Sequence, residues 1–133
     1  MNKISYYLMV FVGVLTCLQF IPHAFMGYPA ILEHIQKGEI QEVAAPGMQI
    51  IWLYSSIMML LTGIWMLFLS KPIKEGDNKA RLQGLFLSLG LIAFGLICNY
   101  ITGEIVNHLF FFMIEGVLLL LATTIFFKIK SNE

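Results

Sequence analysis

The chain has 133 residues, 59% of them hydrophobic and 12% charged, with a mean hydropathy of +0.82. A soluble domain of this length has too little interior to hide that much apolar surface, so a water-soluble globular fold is excluded. Eight basic residues balance eight acidic ones for a formal net charge of +0, which says nothing about partners; the basic loop over 71–81 is expected to serve topology and headgroup contact, and no nucleic-acid partner is expected.

Four apolar stretches carry the excess: Ile4–Met26, Met48–Ser70, Leu82–Ile101 and Ile105–Phe127, each of 20–23 residues. About 20 helical residues at ~1.5 Å each cross a ~30 Å hydrocarbon core. A membrane β-strand would alternate with a period of two, and none of the four does. The predicted fold is all-α: an integral membrane four-helix bundle, up-down-up-down, in a single domain over residues 1–133, with a short interfacial helix in the outer loop. The expected spans are about 4–26, 48–70, 82–101 and 105–127.

The first span has a basic start and an apolar run but no small-x-small cleavage site, so it is expected to stay in place as an anchor. Near its end Gln19 and His23 lie four residues apart and share a side, with Thr16 extending the stripe. Pro22 lacks an N–H and cannot bond the Leu18 carbonyl, which is left for another donor or ligand. Pro29 and Gly38 bracket a predicted short helix whose Ile31, Leu32 and Ile35 form an apolar side. Residues 44–47, Ala-Ala-Pro-Gly, are expected to turn the chain into the second span.

That span opens with Gln49, Trp52, Tyr54, Ser55 and Ser56. A solvated turn over 71–79 leads to the third, where Gly84, Ser88, Gly95 and Asn99 share one face. Small residues at such spacing let helices approach closely. Packing within the chain is expected there, with a homodimer seam as the alternative. Thr102-Gly-Glu104 forces a tight hairpin into the fourth span. Glu104, His108 and Glu115 fall along one face of it, His108 and Glu115 being two turns, about 10 Å, apart. Glu115 is the single formal charge from Ile105 to Phe127. A carboxylate at a bilayer centre costs about 2.5–3.5 kcal/mol on insertion scales, so it is expected to face protein or water. Cys17 and Cys98 lie at different depths and are expected to be free thiols; no CxxC motif is present.

Seven of the eight basic residues fall before span one, between spans two and three, or after span four; Lys37 is the exception. The positive-inside rule then places both termini in the cytoplasm. The same basic groups are expected to meet anionic headgroups. On that topology the outer half of the bundle collects the polar side chains, whereas the inner half holds little beyond Thr62, Ser70, Gln83, Ser88, Thr123 and Thr124. Such a trail opens outward and stops near Glu115. It describes a pocket, not a through-channel.

The expected function is binding of a small hydrophobic or metal-containing ligand, such as a lipid, a quinone or a haem-like group, in that pocket. Gln19, His23, Trp52, Asn99, His108 and Glu115 would line it. His23 and His108 could hold a haem iron axially, or a transition metal together with Glu104. No CxxCH, ExxH or HExxH motif supports a specific metal, and no catalytic residue is identified. Each feature also has a plainer reading. Trp52, Tyr54 and Tyr100 suit an aromatic belt, the histidines suit an interface, and Glu115 suits a hydrogen bond to a neighbouring helix. Two other functions remain open: proton-coupled transport through Glu115, and an accessory subunit of a larger membrane complex.

The segment His23-Ala-Phe-Met-Gly27-Tyr28-Pro29, with Trp52 early in span two, resembles small uncharacterised bacterial four-span membrane proteins. Their first span ends in His-x-x-x-Gly and a Trp-His pair opens the second; here Leu53 stands in place of that second histidine. The likeness implies the four-span fold and no activity. Small multidrug transporters share the span count but carry their acid in the first span, and quinone-linked disulfide enzymes require the absent CxxC.

Overall fold

The structure is a computed structural model and describes residues 2–103 and 109–128. The described residues are helical in α1 (Lys3–Pro22), a π-helical segment (His23–Gly27), α2 (Tyr28–Gln36), α3 (Ala45–Glu75), α4 (Asn78–Thr102) and α5 (Phe110–Thr123). Three runs, Lys3–Gln36, Ala45–Glu75 and Asn78–Thr102, are long and apolar enough to cross a membrane. α5 is apolar but has 14 residues, about 21 Å of helix. The chain divides into two compact units, Met1–Val12 with Met66–Glu133, and Gly13–Trp65.

In the first unit α4 and α5 run antiparallel in close contact. A Cβ built on Gly84 would stand 2.8 Å from the Thr123 methyl, and one on Gly95 2.9 Å from the Met113 Cβ. Between them the Ser88 hydroxyl donates to the Gly116 carbonyl at 2.9 Å. A Cβ on Gly116 would meet Ile92 Cγ1 at 2.7 Å. The small face expected on span three is therefore used within the chain, and Gly116 is its counterpart on α5. Close approach lets a hydroxyl reach a helix carbonyl, a bond that longer side chains would prevent. The core of this unit comprises Met9, Val12, Met66, Leu69, Ile73, Ala80, Leu119 and Ala122.

Asn2 ties three segments of the same unit together. Its amide nitrogen donates to the carbonyls of Ile73 (3.1 Å) and Lys128 (2.8 Å), and its amide oxygen accepts from the Lys128 N–H at 2.9 Å. α5 was expected to continue to Phe127 but ends at Thr123. The hydroxyls of Thr123 and Thr124 turn back onto the carbonyls of Leu119 and Leu120. Such back-bonding, on two β-branched residues in succession, weakens a helix end. At the other end of α4, Asp77 accepts from the N–H groups of Lys79 (2.6 Å) and Ala80 (3.0 Å). That N-cap satisfies two otherwise orphaned donors.

In the second unit, α1 and α3 are also antiparallel and close. A Cβ on Gly63 would lie 2.7 Å from the Gly13 carbonyl oxygen and 2.5 Å from Cys17 Sγ. Both cysteines are free. The short helix expected between Pro29 and Gly38 is α2, with proline in its first turn and Gly38 at φ +71° just past its end. It does not begin afresh after a loop: the helical run from Lys3 to Gln36 is unbroken over 34 residues. Pro46 and Gly47 lie in the first turn of α3 instead of a preceding turn, because the first turn needs no N–H from proline.

The helices bury small and polar groups and expose large apolar ones. Ser5, Thr16, Ser56, Ser88, Glu115 and Thr123 are all at most 1% exposed, whereas Phe68 and Phe86 are each 75% exposed.

Candidate functional site

His23 opens the π-helical segment directly after Pro22. Proline cannot donate to the carbonyl four residues back and its ring presses on it, so the α-helix cannot continue unchanged. One turn of wider π-helix relieves the conflict and re-aims the side chain that follows. The hydrogen bond that Pro22 cannot make is therefore accommodated by this widened turn, and the helix continues through it.

The His23 ring is fixed from two directions. Its Nδ1 lies 2.8 Å from the Ser56 hydroxyl oxygen. That hydroxyl donates its one proton to the Trp52 carbonyl at 2.8 Å, so it accepts from His23 and the proton of the neutral ring sits on Nδ1. The Trp52 indole stacks on the imidazole, with ring centroids 4.4 Å apart and planes 9° from parallel. The Trp52 N–H donates to the His23 backbone carbonyl at 2.9 Å, holding the indole in place. Gly27, one turn on, leaves the room this needs: a Cβ there would overlap the indole. Further out, the Tyr28 hydroxyl approaches Gln49 Oε1 at 3.4 Å.

The geometry resembles the outer-sphere support of ligating histidines, in which the second ring nitrogen is tied to a protein group to set tautomer and orientation. An imidazole so held has a fixed orientation against Ser56 and Trp52. Its surroundings are aromatic and the residue is half-buried, whereas Ser56 behind it is 1% exposed.

The expected lining residues fall into separate groups. Gln19, His23 and Trp52 belong to the Gly13–Trp65 unit; Asn99 and Glu115 belong to the other. His108 and the metal candidate Glu104 lie outside the described residues. Gln19 stands half-buried one turn before His23 on α1. Glu115 is 1% exposed, on the buried face of α5 with Gly116, Leu119, Ala122 and Thr123. Glu115 is thus enclosed by protein. Asn99 has a buried Oδ1 with no hydrogen-bond partner among the described residues. No group of three or more His, Cys, Asp or Glu able to hold a metal occurs among the described residues.

No protein-family model matches this chain, and no curated protein and no solved structure is similar to it. Function is therefore read from the residues themselves.

Two further residues shape the site, Ser56 and Gly27. Ser56 is one of several hydroxyls early in span two, and only its position opposite His23 singles it out. Gly27 has helical backbone angles, φ −69° and ψ −41°, so its role is to make space. The signal that points to it is the recurrence of glycine four residues after His23 with a tryptophan on the next long helix.

Proposed function

We propose that this is an integral protein of a bacterial inner membrane that binds a small hydrophobic or metal-containing ligand at the His23 end of α1. The chain crosses the bilayer four times in up-down-up-down order, with both termini cytoplasmic, and belongs with the small four-span proteins that its His23–Pro29 segment resembles. Three long apolar runs and a surface of exposed Phe, Leu and Ile support membrane insertion. The one-sided distribution of Lys and Arg supports the orientation.

The observation that carries the binding reading is the His23 imidazole, clamped by Ser56 and stacked on Trp52. The two stacked aromatic planes suit a flat, largely apolar ligand, such as a quinone or a haem-like group. Trp52 reports on it directly. In a Trp65→Phe background, short-chain ubiquinone and haemin are titrated against the purified protein and Trp52 emission is followed. Saturable quenching by one of them is expected, with the midpoint raised about tenfold in His23→Ala, the worth of one good hydrogen bond. Linear, unsaturated quenching by both, identical in His23→Ala, would remove the binding reading.

The burial of Glu115 favours a second reading, proton-coupled transport, because intramembrane carboxylates mark proton and substrate paths. Glu115→Gln protein that still carries substrate with its proton coupling intact in liposomes would end it.

A further inference from the structure

One end of the Met1–Val12/Met66–Glu133 unit gathers cations that the fold leaves without acidic partners. Lys3 begins α1, Lys71 and Lys74 lie in the last turns of α3, Lys79 and Arg81 lie in the first turn of α4, and Lys128 follows α5. Among the described residues none of the six has a carboxylate within ion-pair distance. The two ion pairs found there are Glu33–Lys37, at 2.6 Å, and His34–Glu39. Lys37, the one cation of the other unit, is therefore paired. Asp77 also lies at this end but makes no ion pair among the described residues; its Oδ1 accepts from the backbone N–H groups that open α4.

A continuous chain of contacts links the Lys74 and Lys128 backbones with the Arg81 guanidinium. The Lys74 ammonium sits 4.7 Å from the centre of the Tyr6 ring. The Lys74 carbonyl accepts from the Asn2 N–H at 3.3 Å. The Asn2 side chain brackets the Lys128 backbone with bonds of 2.8 and 2.9 Å. Phe127, the residue before Lys128, lies under the Arg81 guanidinium at 5.7 Å. Aromatic faces hold cations by the ring quadrupole without neutralising them. Arg81 is steadied further by its Nε–H bond to Asn78 Oδ1 at 2.8 Å.

We propose that Lys74, Arg81 and Lys128 form a binding site for the phosphate of an anionic lipid headgroup, independent of the ligand site at His23. A planar guanidinium with two ammonium groups from different elements matches the several oxygens of one phosphate. The two rings and the apolar helix surfaces below them suit the lipid to which that phosphate is attached. A general excess of positive charge would explain orientation in the membrane, but it does not require three cations to be linked through Asn2 and two aromatic rings.

The test compares lipid retention by the full-length protein. Protein is reconstituted in phosphatidylcholine alone or with an equal amount of phosphatidylglycerol, extracted with mild detergent, and weighed intact by native mass spectrometry. Wild type is expected to retain phosphatidylglycerol over phosphatidylcholine. The double variant Arg81→Gln, Lys128→Gln should lose that preference about tenfold or more, each cation at the surface being worth about fivefold. The variant Lys71→Gln, Lys79→Gln removes the same charge from the same end outside the contact chain and should keep the preference. Arg81→Lys, which preserves charge and folding, should fall between. Equal retention of both lipids by wild type, equal loss in the two double variants, or displacement of the lipid by millimolar inorganic phosphate would each overturn the proposal. The last would show a free-anion site.

Discussion

Replacing Gly27 by alanine separates space from flexibility at the His23 site. The new Cβ would stand 3.0 Å from Trp52 Cε2 and 3.2 Å from Nε1, and nearer still to Cζ2. Carbon atoms settle at about 3.5–4.0 Å, so the indole has to retreat by roughly 1 Å. A retreat of that size stretches the 2.9 Å bond to the His23 carbonyl out of hydrogen-bonding range and opens the 4.4 Å stack. The hydrogen bond is worth about 0.5–1.5 kcal/mol and the stack about the same. Against this, alanine favours the helix by about 1 kcal/mol over glycine. The net loss is therefore only about 1 kcal/mol, and the decisive readout is local. In a Trp65→Phe background, the near-ultraviolet circular dichroism of Trp52 should collapse and its emission should shift, while thermal unfolding in detergent changes little. Gly90 provides the opposite case. A Cβ there meets nothing within 4 Å, so Gly90→Ala should stabilise by about 0.5–1 kcal/mol and leave Trp52 untouched. If Gly27→Ala behaves like Gly90→Ala in both measurements, the indole does not occupy the position argued for it, and the clamp on His23 fails with it.

Other substitutions probe the remaining contacts. Asn2→Ala removes three side-chain hydrogen bonds, and thermal unfolding should register a loss of about 2–3 kcal/mol, with faster proteolysis after Lys128. Gly116→Val drives side-chain atoms into Ile92 and the Ser88 carbonyl, 2.7 and 2.8 Å from where even a Cβ would lie. It should cost about 3 kcal/mol and broaden the α5 signals in nuclear magnetic resonance spectra of the detergent-solubilised protein. Ser56→Ala takes the acceptor from His23 Nδ1, so the tautomer signature of that imidazole in ¹⁵N spectra should change even where stability falls by only about 1 kcal/mol. His34→Ala breaks an exposed pair with Glu39 and should shift stability by no more than about 0.5 kcal/mol.

Helix existence was readable from hydropathy, because a run of about 20 apolar residues has few other stable forms. The bounds of α2 were readable from Pro29 and Gly38, whose backbone preferences mark a start and an end. The end of α5 was not. Phe126 and Phe127 extend the apolar run, but Thr123 and Thr124 bond back and the chain turns instead. Gly84, Ser88 and Gly95 announced a close helix contact, yet nothing in their spacing said that Gly116 would meet them. At the candidate site, the contact between His23 and Trp52 was not legible in the sequence, because it depends on two helices meeting.

The sequence by itself determined helices in long apolar runs and a single acid within the last of them. Those properties follow from local preference and from the cost of exposing a backbone to hydrocarbon, and both act on each segment separately. The tertiary structure decided what depends on two segments meeting. It matched Gly116 to Ser88 and placed Ser56 and Trp52 around His23. It also drew Lys74, Arg81 and Lys128 to one end through Asn2, Tyr6 and Phe127. Side-chain direction and the distance of closest approach set those pairings, and neither is encoded in the order of apolar and polar residues along one helix.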